Sequence, residues 1–109
     1  MPAGMNAKLV LVTCGSRGLA RRIAQAVVAK RLAACVNVVT APVESLYRWK
    51  GKVERATEFL LVIKTTSARL KELEGEVARL HGYDVPEFLV IGVVGGARKY
   101  LKWLGQSVS

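Results

Sequence analysis

The stretch VESLYRWKGKVERATEFLLVIKT, Val43 to Thr65, decides the fold. Its first half alternates. Val43, Ser45, Tyr47 and Trp49 fall on one side of an extended chain, and Glu44, Leu46, Arg48 and Lys50 on the other. That two-residue period belongs to a β-strand. Gly51, between Lys50 and Lys52, marks a tight turn. The chain then returns through Val53 and Glu58 into the apolar run FLLVIKT. Upstream, LAACVNVV is β-branched and strand-like. Pro42 cannot donate to a ladder, so it fits a bulge or an edge within one long bent strand. The whole reads as a hairpin, Ala33–Lys50 against Lys52–Thr65. Arms that long project beyond a domain of 109 residues, and a projecting arm pairs with another subunit.

Working outward, Lys8–Cys14 (KLVLVTC) is an apolar run that fits a strand buried on both faces. Ser16 caps the helix that follows. Leu19, Ile23, Ala26, Val27 and Lys30 fall at helical spacing, with Arg17, Arg21, Arg22 and Gln25 on the other side, and it ends near Arg31. Beyond the hairpin, Thr66 or Ser67 caps a second helix whose stripe is Leu70, Leu73, Val77 and Leu80. Gly82 is expected to end it in a left-handed conformation. Phe88–Val94 (FLVIGVV) reads as another buried strand, Gly95-Gly96 as a turn, and Arg98–Leu104 as a short terminal helix stopped by Gly105. The order is β-α-β-β-α-β plus a helix, in a single domain covering residues 1–109. That is the ferredoxin-like α+β sandwich, with one sheet face left for a neighbour or a ligand.

The composition, half apolar and 23% charged, is that of a globular domain. No apolar run is long enough to span a bilayer, and Met1–Ala7 lacks the pattern of a leader, so a cytoplasmic setting without membrane association is expected. The net charge is +9, yet the seventeen Lys and Arg are spread from Lys8 to Lys102 with no block of five. Nucleic acid is therefore not expected as the main partner. Cys14 and Cys35 form no C-x-x-C, and both read as small apolar side chains.

Several chemistries are excluded. GSRG, Gly15–Gly18, lacks the ending of a phosphate-binding loop. No Ser/His/Asp set can be assembled around the only histidine, His81. Glu54 and Glu58 on a strand, and Glu72, Glu74 and Glu76 on a helix, read as solvated charges rather than a tuned pair. An RNA-recognition sheet needs paired aromatics on its central strands, and only Phe88 is available. No enzyme activity is expected.

RLAACVN (Arg31–Asn37), YRWKGK (Tyr47–Lys52), LVIKT (Leu61–Thr65), LHGYDVPE (Leu80–Glu87) and YLKWL (Tyr100–Leu104) together resemble the CutA family, the divalent-cation tolerance proteins. The likeness runs from about Lys8 to Leu104, and five segments in register are more specific than any one. The resemblance implies a homotrimer built through the hairpin, similar to that of the PII signalling proteins, and binding of divalent metal, Cu2+ first. His81, Tyr83, Val85, Pro86 and Glu87 match the family's H-P-Y-x-V-P-E, with Gly82 in place of its first proline. Some members carry a metal-linked cysteine near the end of the first strand. The aligned position here is Val12, and Cys14, two residues on, shares its face.

On that resemblance the metal ligands are His81, Cys14 and Glu87. The alternative for His81 is the end of a helix, where an imidazolium meets free carbonyls. Tyr83 and Pro86, with Lys64 and Arg17, would line a cleft between subunits. Tyr47, Trp49 and Trp103 would fill the trimer interface as aromatic anchors. Two other functions fit the same trimer: a PII-like regulator holding a small anionic ligand through Arg17, Lys64, Lys52 and Arg98, and a structural scaffold for a partner protein.

Overall fold

The structure, a computed structural model, describes residues 6–109. The first five residues, read above as carrying no leader, lie outside it. Five antiparallel strands and three helices follow one another as β1 (Ala7–Cys14), α1 (Arg17–Ala29), β2 (Cys35–Val38), β3 (Val43–Trp49), β4 (Lys52–Thr66), α2 (Leu70–Leu80), β5 (Leu89–Gly92) and α3 (Arg98–Ser107). The sheet order is β2-β4-β1-β5, with β3 continuing the pairing along β4. Taking β2 and β3 as one bent arm, this is the ferredoxin-like order expected from the sequence.

The hairpin is as long as its pattern implies. β3 pairs with β4 from Val43↔Glu58 to Trp49↔Lys52, and β2 pairs from Cys35↔Lys64 to Val38↔Leu61. The arm bends between the two ladders, where Pro42 stands. At the tip Lys50 (φ 51°) and Gly51 (φ 79°) both adopt left-handed backbone, the two-residue turn whose twist matches its strands. The ribbon stretches the molecule to 45 × 25 × 25 Å, with a radius of gyration of 14.5 Å. A compact chain of this length would give about 13 Å.

The core lies between the sheet and α1 and α2. Val10, Val12 and Cys14 of β1 and Leu61 and Ile63 of β4 meet Ala20, Ile23, Val27, Leu73 and Val77, all essentially inaccessible. Ser16 caps α1 as expected, its hydroxyl accepting from Leu19 N–H at 3.1 Å. α1 closes with Arg31 left-handed (φ 58°), while Leu32 N–H donates to the Val27 carbonyl and Arg31 N–H to that of Val28, a Schellman closure.

Several expectations are corrected. β1 is buried on its helix side only; Leu9, Leu11 and Thr13 on the other side are half-buried. β5 is four residues rather than Phe88–Val94 and is exposed along its whole length, because it is an edge strand paired only with β1. Thr66 offers no side-chain cap: a 3-10 turn, Ser67–Arg69, leads into α2 instead. α2 ends because His81 turns extended (φ −74°, ψ 144°), not through a left-handed Gly82. α3 runs through Gly105 to Ser107.

Glu58 and Glu76, read as solvated, are 7% and 9% exposed. Glu76 bridges the helices, accepting from Lys30 at 2.8 Å and from Arg79 at 2.7 Å and 3.0 Å. Those hydrogen bonds, Arg79's first, hold its carboxyl down to about 2.

Candidate functional site

One end of the sheet gathers the chemistry. The antiparallel register sets Cys14, at the end of β1, opposite Phe59, just after Glu58 in β4. α2 finishes over the same end, so the loop after it delivers His81 and Tyr83 there. His81 is 8% exposed. Its Nε2 lies 2.7 Å from the Thr13 carbonyl, and its Nδ1 lies 3.3 Å from the Tyr83 amide. A carbonyl only accepts and an amide N–H only donates, which assigns the tautomer: hydrogen on Nε2, lone pair on Nδ1. The imidazole thus straps the end of α2 to the end of β1.

Tyr83 continues the strap. Its ring leans on the imidazole, centroids 4.6 Å apart, and its hydroxyl donates to Glu58 Oε2 at 3.1 Å. It also rests against Gly15, where an added Cβ would stand 3.2 Å from the hydroxyl. A side chain there would need the tyrosine hydroxyl to give way by a few tenths of an ångström.

The charges are unbalanced. Among the described residues no Lys or Arg pairs with Glu58 or Glu87. Burial, then the Glu58 charge, raises the Glu87 carboxyl above its ordinary range. Burial also pushes Tyr83 up to about 12, helped by its hydrogen bond to Glu58 and that group's charge. The Cys14 thiol is raised as well, mainly by burial; a backbone hydrogen bond with Ser16 opposes this and the Glu58 charge adds to it. Glu58 therefore acts on three neighbours at once.

The expected site residues are not all together. Arg17 stands at the rim, its Nε and Nη2 donating to the Thr40 carbonyl at 3.2 and 3.0 Å, with the guanidinium 5.3 Å above the Phe59 ring. Pro86 and Glu87 are half-buried in the same loop as Tyr83. Tyr47 lies on β3 opposite Glu54 and is 45% exposed. Lys64 is elsewhere, about 17 Å along β4 from Phe59 at strand spacing. There its Nζ sits 5.9 Å from the Tyr100 ring of α3, beside Cys35, whose sulfur is 3.7 Å from the Tyr100 hydroxyl. Trp49 and Trp103 are both 45% exposed, at the hairpin tip and on α3.

Among the described residues no three of His, Cys, Asp and Glu converge as a metal-ligand group. His81, Cys14 and Glu87 do not complete a coordination sphere within one protomer. Two surface depressions, of 520 and 400 Å³, lie along α3 at other faces and contain none of the expected site residues. Sequence reading missed Glu58. Its only signal was position: it directly precedes FLLVIKT, where the strand enters the core.

The family model described as CutA1 divalent ion tolerance protein matches residues 8–107. The chain belongs to the CutA family. It is 44% identical over 100 residues to the divalent-cation tolerance protein CutA of Thermus thermophilus, covering 92% of this chain and 96% of that one. It is 43% identical over 99 residues to the chloroplastic protein CutA of Arabidopsis thaliana, covering 91% of this chain and 54% of that one. The chain thus spans about half the length of the plant relative and nearly all of the bacterial one.

The solved CutA1 structure from Thermus thermophilus superposes with a TM-score of 0.92 at 43% identity, covering 94% of this chain and 99% of that one. A periplasmic CutA from Archaeoglobus fulgidus gives 0.90 at 36% identity, covering 94% and 99%. Both support the α+β fold described above. Among the described residues no helix of this CutA chain is long and apolar enough to cross a membrane. The plant relative is named chloroplastic and the Archaeoglobus fulgidus protein periplasmic.

Proposed function

We propose that the chain acts as a homotrimeric, cytoplasmic protein that binds divalent cations, Cu2+ first, and has no catalytic role. One observation carries this reading. In a chain with 17 basic and 8 acidic residues, Glu58 and Glu87 stand together without a basic partner among the described residues. A divalent cation would offset the negative charge that the two carboxylates bring to this end of the sheet. His81 joins as a nitrogen ligand, suited to copper, once Nδ1 releases the Tyr83 amide; Cys14 is the thiol within reach of the same end. A neighbouring subunit supplies the remaining ligands.

The trimer is supported by apolar surface with no cover in one protomer: Leu89 (57% exposed) and Ile91 (44%) on β5, and Leu46, Trp49 and Val53 on the hairpin. Copper titration by calorimetry tests the site. His81→Ala and Glu58→Gln each weaken binding at least tenfold; equal affinity in all three proteins overturns the proposal. Light scattering on the eluting protein gives three times the chain mass, and a stable monomer overturns the assembly.

A PII-like role with a small anion remains the second reading. It is favoured by Arg17, which the Thr40 carbonyl holds at the rim with one guanidinium nitrogen free. A thermal-shift screen against nucleotides and phosphorylated metabolites tests it, and a flat screen removes it.

A further inference from the structure

The first forty-three residues contain no Asp or Glu and six Lys or Arg; the remaining sixty-six hold eleven basic and eight acidic residues. Five of the six lie on α1 or its closing turn; the sixth, Lys8, is in β1. The helix buries Ala20, Ile23, Ala24 and Val27 and turns Arg21, Arg22 and Gln25 outward, with Arg31 at its closing turn. Among the described residues the side chains of Arg21, Arg22 and Arg31 carry no ion pair, whereas Arg55, Arg69, Arg79 and Lys30 each have a carboxylate.

Folding does not account for this arrangement. Arg17 and Arg21 are like charges one turn apart, and Arg17 stands at the positive end of the helix dipole, where no acidic residue offsets it. The face is polar and rigid. It exposes one large aliphatic residue, Val28, and no aromatic. That argues against insertion into a lipid surface, which needs an apolar stripe, and against single-stranded nucleic acid, which needs stacking platforms. Guanidinium groups along a helix of 13 residues, about 20 Å long, suit regularly spaced phosphates.

We propose that the outer face of α1 docks on the phosphodiester backbone of double-stranded DNA without reading its sequence. The proposal uses Arg21, Arg22 and Arg31, none of which belongs to the cation site at the Cys14 end of β1. It also differs from the reading by charge scatter, since the helix gathers what the sequence spreads.

The test is fluorescence anisotropy of a labelled 20-base-pair duplex from 50 to 200 mM salt. Three phosphate contacts give a log–log slope near −2.7, which is roughly a 40-fold loss of affinity over that range. Arg21→Ala with Arg22→Ala leaves one contact and a loss of about 3.5-fold over the same range. Arg21→Lys with Arg22→Lys keeps the slope. Lys99→Ala with Lys102→Ala, on α3, removes the same charge elsewhere and also keeps it. Melting temperature checks that each variant folds, and all four substituted side chains are exposed. An α3 variant as shallow as the α1 variant reduces the effect to net charge and overturns the proposal. So does an absence of binding at 50 mM, or binding to phosphatidylserine vesicles and not to DNA.

Discussion

Replacing Tyr83 by Phe removes one oxygen and leaves the Glu58 carboxylate, 7% exposed, without the only side-chain donor it has among the described residues. A hydrogen bond to a charged group contributes about 1.5–3 kcal/mol. Tyr83 itself is 41% exposed, so water replaces part of what is lost, and the expected cost falls to about 1–1.5 kcal/mol. Urea denaturation at one fixed protein concentration measures it, since self-association shifts apparent stability. Glu58→Gln closes a double-mutant cycle, with a coupling of about 1 kcal/mol between the two positions.

The same bond has an alkaline signature. Folded Tyr83 keeps its proton up to about 12, against about 10 in an unfolded chain. The folded state therefore holds the extra proton between those values. Its stabilisation is complete below pH 10 and is lost as pH climbs toward 12. Tyr83→Phe lacks that decline. A Tyr83→Phe protein within about 0.3 kcal/mol of wild type, with no coupling to Glu58, would refute the account of Tyr83 as the strap across the site.

Glu76 works in the opposite pH direction. Its carboxyl is depressed to about 2, so its contribution is present above about 4.5 and disappears as pH falls to 2; Glu76→Gln flattens acid denaturation over that window. At the hairpin tip, Lys50→Asn replaces a strained left-handed residue by one that tolerates it, and should stabilise the fold by about 0.5–1 kcal/mol in thermal denaturation. The two thiols should separate under a thiol reagent at pH 8. Cys35, partly exposed, reacts in the native protein, while Cys14, buried and with its pKa raised, waits for unfolding. Two thiols reacting at one rate would contradict the burial of Cys14.

Much of this molecule was legible from local pattern alone. The alternation through Val43–Trp49, the Lys-Gly turn and the apolar return specify a hairpin, because side-chain period and turn chemistry are properties of neighbouring residues. The Ser16 cap of α1 and the apolar stripe of α2 follow for the same reason. In the site, His81, Tyr83 and Glu87 stood out through a matched segment, and Cys14 was correctly read as buried.

What could not be read was which charged groups lie inside. Glu58 is buried because Tyr83 reaches it across 25 positions of sequence, and Glu76 because Lys30 meets it across 46. A carboxylate enters a core only where a donor arrives, and that donor comes from a distant element. β5 was read as buried because its residues are apolar. The sheet made it an edge, and one chain supplies no cover for it. Gly82 looked like a helix stop, yet the strap from His81 to Thr13 turned the backbone first. Sequence periodicity thus determined the elements and their order. Tertiary contact decided which polar groups are paired, because desolvation depends on every atom nearby and not on the neighbours in the chain.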